Sequence, residues 1–330
     1  MNAMVSFLAV VALAAIALIG ASAGLGVLFG VIIPYVAILL FLVGFVAKIL
    51  TWAKAPEPFR IPTVSGQAES LDFIKHDKLE SPSTGGQVFL RMVLEVLFFR
   101  SLFRNTRADM RPGPRIVYGA DKLLWAAAIV FHWTFLIIFV RHLRFFTEPV
   151  PALVTGLESL DAFFEVAVPA LYLTDILILA ALGWLLLRRF VEPQVRYISL
   201  ASDYFPLFLL LGVVISGVFV RYFTKTDIVA VKELAVGLLG FRFAVPDGIG
   251  PQFYAHLFLV SVLIGYFPFS KLMHLGGVFL SPTRNLANNN RMKRHVNPWN
   301  AEVKCHEFDH WREEFKEEIA EAGYELKERS

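Results

Sequence analysis

The sequence predicts an all-α integral membrane protein with six transmembrane helices, accompanied by amphipathic helices on the cytoplasmic side. Three observations predict it. Hydrophobic residues make up 56% of the 330, above the 45–50% apolar content usual in soluble domains, and mean hydropathy is +0.60. The apolar residues gather into stretches of roughly 20, each enough to cross a bilayer core as a helix. Lysine and arginine concentrate in alternate connecting segments, as the positive-inside rule requires.

In chain order, residues 4–50 are almost continuously apolar, too long for one span and suited to two. Gly20, Gly24, Gly26 and Gly30 mark a tight turn between them. The first stretch, about 4–23, lacks the basic start of a cleaved signal peptide and is expected to be retained. The second, about 27–52, contains Pro34. A polar insertion of residues 53–121 follows. Within it, 87–107 reads as an amphipathic helix, with Phe89, Val93, Val96, Phe99 and Phe103 near one face and Arg91, Arg100, Arg104 and Arg107 at the basic positions. Such a helix lies in the headgroup plane or docks a partner.

The third span is 122–146, followed by a loop over 147–164 and a fourth span over about 165–190. The fifth covers about 200–223, where Gly212 and Gly217 permit close approach of a neighbour. The sixth covers about 252–275, with Pro268 expected to bend its axis. In the tail, Phe308, Trp311, Phe315, Ile319 and Ala322 recur at helical spacing against many acids, and the apolar face of such a helix needs cover. The chain therefore divides into two N-terminal spans (1–52), a cytoplasmic segment (53–121), a four-span core (122–275) and a cytoplasmic tail (276–330).

Residues 53–121 carry ten lysines and arginines, Arg188, Arg189 and Arg196 sit between spans four and five, and Arg284, Arg291, Lys293 and Arg294 follow span six. The 147–164 segment has none, only Glu148, Glu158 and Asp161, and in 225–251 Lys225, Lys232 and Arg242 are balanced by Asp227, Glu233 and Asp247. Both termini are thus expected in the cytoplasm of a multi-pass protein of the inner (cytoplasmic) membrane. The net charge of +3 then reads as topology and not as affinity for nucleic acid. A lone Cys305 excludes an internal disulfide framework and a cysteine-held iron–sulfur cluster within the chain. No CxxCH, nucleotide loop, zincin motif or nucleophile elbow is present.

The chemistry-bearing residues are histidines inside the spans. An ionisable group there is costly and marks a functional site by default. His132 and His142 lie in the third span, about 15 Å apart along a helix, and His256 and His274 in the sixth, about 27 Å apart. Antiparallel spans pair His132 with His274 toward the cytoplasm and His142 with His256 toward the outside. The mean separation of about 21 Å fits two haems stacked across the membrane, each held edge-on between the helices. Two imidazoles per iron leave no open position, so electron transfer is expected and oxygen activation is not. A zinc or copper centre would cluster the histidines. The competing reading is a transporter or proton channel that uses them as proton relays; helix–helix hydrogen bonds are a third. His76, His295, His306 and His310 lie outside the spans and read as solvated. Haem propionates need cationic partners near the faces: Arg141 and Arg144 are candidates outside, Lys271 and Arg284 inside, with interfacial anchoring as the alternative for each.

Three stretches, FHWTFLIIFVRH, LLLRRFVEPQVRYIS and AHLFLVSVLIGYFPFSKLMHLGG, carry a resemblance. Over about residues 34–291 the chain resembles the gamma subunit of respiratory nitrate reductases, a membrane cytochrome b with two haems. That resemblance implies two haems b with His132, His142, His256 and His274 as axial ligands of the iron, and a quinone site beside the outer haem. The nitrate reductase subunit lacks the first span and the basic insertion, and its quinol-site lysine has no counterpart in 147–164. Length, extra helix and acidic tail are more similar to the cytochrome b subunit of the sulfite-reduction-associated membrane complex.

This second resemblance implies electron exchange between menaquinone and a cytoplasmic iron–sulfur subunit related to heterodisulfide reductase, in dissimilatory sulfate or sulfite reduction. It also implies a complex with a multihaem cytochrome c, a ferredoxin-like subunit and a second quinone-interacting membrane subunit. The tail is expected to dock on the iron–sulfur subunit. Without the lysine, Glu158 and Asp161 are the quinone-site candidates, as carboxylates that take up protons beside an apolar pocket; as solvated loop acids they would do nothing.

Overall fold

The computed structural model describes residues 2–54, 77–113, 115–164, 170–288 and 307–324. His76, Glu165, Arg291, Lys293, Arg294, His295, Cys305 and His306 lie outside them. Helix α1 (Asn2–Ser22) runs into a turn at Gly24, whose φ of +85° suits a residue without Cβ. Helix α2 (Leu28–Ala53) opens with a π turn over Leu28–Ile32. Both agree with the two spans read from residues 4–50.

The insertion departs from expectation. Helix α3 (Gly85–Phe98) starts at Thr84, whose hydroxyl accepts from the Gln87 amide at 3.4 Å, and stops at Phe99, which is left-handed at φ +51°. A short α4 (Arg100–Phe103) follows. The expected helix to residue 107 gives way instead to an antiparallel hairpin, β1 (Thr106–Arg111) with β2 (Arg115–Ala120). The cause is local: Pro112 and Gly113, the latter at φ +90°, make the turn, and Ile116, Val117 and Tyr118 favour a pleated strand.

Helix α5 (Lys122–His142) is capped by Asp121 and prolonged by a 3-10 turn, Leu143–Phe145. The expected 147–164 loop holds α6 (Ala152–Phe163). Helix α7 (Leu173–Val191) takes the place of the fourth span; it is 19 residues long and carries Asp175, Arg188 and Arg189. Helix α8 (Pro193–Ile198) leads to α9 (Ala201–Val218), which ends in a π turn, Phe219–Phe223. Residues 225–251 include α10 (Ile228–Leu239), whose cap Asp227 accepts from the Val229 amide at 2.8 Å. Both surprises are 12-residue helices, too short for a clear period in the sequence.

The sixth span is broken, not merely bent. Helix α11 (Pro251–Tyr266) passes into a 3-10 turn, Phe267–Phe269; Ser270 is extended at φ −123°, ψ 174°; a second 3-10 turn, Lys271–Met273, leads into α12 (His274–Leu280). Pro268 supplies no amide hydrogen to continue the ladder. The straight-helix distance between His256 and His274 therefore does not apply. Helices α13 (Pro282–Asn285), α14 (Phe308–Glu314) and α15 (Lys316–Glu321) complete the described chain.

Five helices among the described residues are long and apolar enough to cross a membrane: α1, α2, α5 with its turn, α9 with its π turn, and α11 with its turn. The charges of α7 set it apart from these, although 19 residues reach about 28 Å. Helix α1 packs on α9 and α11, α2 on α11, and α7 on α5 and α9. Their seam is a cluster of Val10, Ile178, Leu182, Leu209, Leu210, Leu259 and Leu263. Elsewhere the spans turn apolar side chains such as Ile19, Leu39, Val43 and Phe139 outward. In water this surface would be a large exposed patch; in a bilayer it faces chains of its own polarity. The architecture is that of a multi-pass, mostly helical membrane protein, with one small hairpin among the described residues.

Candidate functional site

Each span histidine is held by its Nδ1. That nitrogen of His132 donates to the Ala128 carbonyl at 2.8 Å, that of His142 to the Ile138 carbonyl at 2.7 Å, and that of His274 to the Lys271 carbonyl at 2.9 Å. His256 Nδ1 lies 2.9 Å from Ser216 Oγ, whose own hydrogen goes to the Val213 carbonyl at 3.0 Å, so the serine oxygen accepts. These partners assign the proton to Nδ1 in all four rings. The Nε2 lone pair is left for a metal, the usual way a second contact orients a ligating imidazole.

One pair of rings meets across helices, and the other two lie in electrostatic reach. His132 and His274 face each other with centroids 5.8 Å apart and planes at 83°. His142 and His256 lie within electrostatic reach of one another. Although these rings approach, α5 and α11 are not among the closely packed helix pairs of the described residues. Gly217 makes room at the second pair, where a Cβ would stand 3.1 Å from His256 Cε1. Among the described residues no three His, Cys, Asp or Glu side chains cluster as a metal site. Imidazoles brought together two at a time fit a metal whose other ligands come from a macrocycle, and so fit haem; a protein-only zinc centre would need a third or fourth ligand.

A cavity of about 880 Å³ opens beside His274, lined among others by Lys48, Trp52, Tyr266, Lys271 and Arg284. Lys48 was not singled out in the sequence. Lys271 donates to Asp203 at 2.6 Å, and Arg284 reaches Glu95 and, at 2.5 Å, Ser101. All four propionate candidates are in fact ion-paired. On the other side Arg141 meets Asp161, and Arg144 meets Glu158. The outer arginine candidates and the two quinone-site candidates are thus each other's partners.

Asp161 is not a loop acid: it lies on α6, and its side chain is 4% exposed. It accepts from Arg141, from the Thr174 amide at 3.0 Å and from the Thr174 hydroxyl. Glu158 is more open at 23%, with Arg221 at 3.9 Å as a second cation. Tyr172 is sandwiched between the guanidiniums of Arg141 at 4.4 Å and Arg221 at 4.1 Å. Tyr222 donates to Asp175 at 2.8 Å and accepts from the Tyr172 amide at 3.0 Å. Arg141, Arg144 and Arg221 balance Glu158, Asp161 and Asp175, and Arg141, Asp175 and Arg221 all lie within electrostatic reach of His142. Asp175, Arg221, Tyr172 and Tyr222 join the site only in the fold. The signal for Asp175 and Arg221 was there, as charges inside apolar stretches.

Apolar spans carrying four Nδ1-anchored histidines, His132 against His274 and His142 in electrostatic reach of His256, define a class, the multi-pass membrane proteins built as cytochromes b. The family description nitrate reductase gamma subunit matches residues 103–295, which include all four histidines. An "Hdr-like menaquinol oxidoreductase cytochrome b-like subunit" of Archaeoglobus fulgidus is 46% identical over 282 residues, covering 83% of this chain and 84% of that protein. A protein of the same description from Archaeoglobus profundus is 39% identical over 324 residues, 89% of this chain and 96% of its own. The chain belongs to the nitrate reductase gamma subunit family.

Proposed function

We propose that this chain is the cytochrome b subunit of a respiratory membrane complex, passing electrons between menaquinol and a cytoplasmic iron–sulfur partner through two haems b. The observation that carries it is the shared state of the four histidines, each with Nδ1 donating and Nε2 left for a metal among the described residues, His132 against His274 and His142 in electrostatic reach of His256. His132 and His274 hold the inner haem, His142 and His256 the outer. Bound haem supplies one-electron redox chemistry, while the chain supplies ligands, orientation and a dry surrounding. Lys48, Lys271 and Arg284 line the cavity beside His274 and would meet the inner propionates; Arg141 and Arg144 serve the outer haem while remaining paired with acids.

The chain crosses the cytoplasmic membrane six times in this reading, α7 included, with both termini inside and the haem core in 122–275. The descriptions of the two relatives support menaquinol as electron donor and a heterodisulfide reductase-like partner. The wider complex, in sulfate or sulfite reduction, adds a multihaem cytochrome c, a ferredoxin-like subunit and a second quinone-interacting membrane subunit.

At the outer site Glu158 and Asp161 take different parts. Asp161 has its oxygens filled by Arg141 and Thr174 and positions the network. Glu158 is open enough to accept a proton from quinol and pass it to solvent. A reduced-minus-oxidised spectrum of the purified chain should show low-spin, bis-histidine b haem, reducible by a menaquinol analogue. Glu158→Gln is expected to slow that reduction by roughly 10²-fold or more with haem content unchanged. A chain without haem would instead favour the proton-relay transporter, and an unchanged rate would remove Glu158 from the quinol site.

A further inference from the structure

The described part of the insertion forms a cap over His132. Phe99, in its left-handed conformation at the end of α3, sets its ring edge-on to His132, with centroids 4.9 Å apart. The cap is fastened there. The Trp133 indole donates to the Leu97 carbonyl at 3.1 Å and the Trp125 indole to the Phe98 carbonyl at 2.8 Å, while Arg284 ties Glu95 to the α13 side.

Beyond the cap stands the hairpin. Its register places Thr106 opposite Ala120 and Ala108 opposite Tyr118, so these residues share one face with Ile116. That face is bare: Ile116 is 62% and Tyr118 70% exposed. The contacts that hold the hairpin are near its base, Gln194 to the Ala108 carbonyl at 3.4 Å, Arg107 to Glu192 at 3.6 Å and Arg188 to Asp121 at 3.1 Å. A two-stranded hairpin with neither face covered is marginal in water. Residues 100–115 also contain Arg100, Arg104, Arg107, Arg111 and Arg115 against Asp109; Arg100 and Arg104 share Glu80 and Arg107 meets Glu192, so positive charge remains in excess, with Arg104 and Arg107 still 53% and 45% exposed.

We infer that this cap and hairpin form the docking surface for the electron-carrying cytoplasmic protein, which presents an apolar patch ringed by acidic side chains to Ile116, Tyr118 and the arginines. Charge complementarity selects an acidic partner. Position selects an electron carrier: the hairpin that bears the bare face follows directly on the α3–α4 cap whose Phe99 touches His132, so a protein seated on cap and hairpin stands on the His132 side of the chain. The inference rests on the reading of His132 and His274 as haem ligands in a subunit of a complex.

The test uses the native complex purified in mild detergent, with haem per chain, and non-haem iron and acid-labile sulfide per haem, as readouts. In the double variant Ile116→Asp, Tyr118→Asp, haem per chain should stay at the wild-type value while non-haem iron per haem falls roughly tenfold or more, as when central anchor residues of an interface are lost. The milder pair Ile116→Ser, Tyr118→Ser, should show the same direction if the first variant fails to assemble. Wild-type non-haem iron in haem-containing variants overturns the docking inference. So does retention of the partner in them with its loss on truncation after Trp299, which would move docking to the acidic tail. Retention of the partner with a changed dependence on phosphatidylglycerol content of nanodiscs also overturns it and assigns the face to lipid. A wild-type complex without haem overturns the underlying reading, and the inference with it.

Discussion

Replacing His132 or His274 with alanine is expected to remove about half of the haem per chain, and the same half in both variants. Replacing His142 or His256 should remove the other half. The pairing comes from the ring contact of His132 with His274, 5.8 Å between centroids, and from the electrostatic proximity of His142 and His256. Low-temperature difference spectra and redox titration of each variant would identify which haem remains. Grouping of His132 with His256 would sink the pairing, and unchanged haem in all four would sink the site. Ser216→Ala is a finer probe. It removes the side-chain acceptor of the His256 Nδ1 hydrogen, with the Val213 carbonyl as the backbone acceptor that remains, and leaves Nε2 untouched, so outer-haem affinity should fall by roughly 10-fold with the inner haem intact.

The Arg141–Asp161 pair should give the largest effect on stability. Both side chains are buried, at 7% and 4% exposure. Taking away one partner of a buried pair strands the other charge, at a cost of about 3–5 kcal/mol. Asp161→Ala should fall at the lower end of that range, because Asp175 stands 3.8 Å from Arg141 and Thr174 Oγ1 3.1 Å away. The double variant Asp161→Leu, Arg141→Met should be more stable than Asp161→Ala alone, since it leaves no stranded charge. Thermal unfolding in detergent, followed by circular dichroism, reads the order. A double variant less stable than the single would show that the ions contribute more than the mutual cancellation of their burial. The same comparison bears on quinol chemistry: loss of activity in Asp161→Ala is expected to track this destabilisation, whereas that in Glu158→Gln is not.

The spans were legible because a bilayer leaves a chain few options. Backbone polar groups must be satisfied within the helix and side chains must be apolar over its length, so hydropathy alone located α1, α2, α5, α9 and α11. The four histidines stood out for the same reason, as costly exceptions in apolar stretches. The insertion obeyed no such rule. In the predicted 87–107 helix the apolar period ran on past Phe98, yet Phe99 turned left-handed and the chain became a hairpin. Turn chemistry at Pro112 and Gly113 and contacts to α5 outweighed a weak helical preference. Pro268 announced a bend, but how far the chain departs from a helix after Tyr266 depends on the neighbours it packs against.

Residue type and depth were therefore determined by the sequence, because the membrane acts on each residue separately. Partnership was decided only in three dimensions. Arg141, Arg144, Glu158 and Asp161 were visible as charges at one face, and the sequence offered the arginines to propionates and the acids to quinone. The fold instead brings α6 against α5 and α7, so that these four neutralise one another and recruit Asp175, Tyr172, Arg221 and Tyr222 from α7 and the end of α9. A charge out of water takes the nearest opposite charge that geometry allows, and which one is nearest depends on helix packing and not on any spacing along the chain.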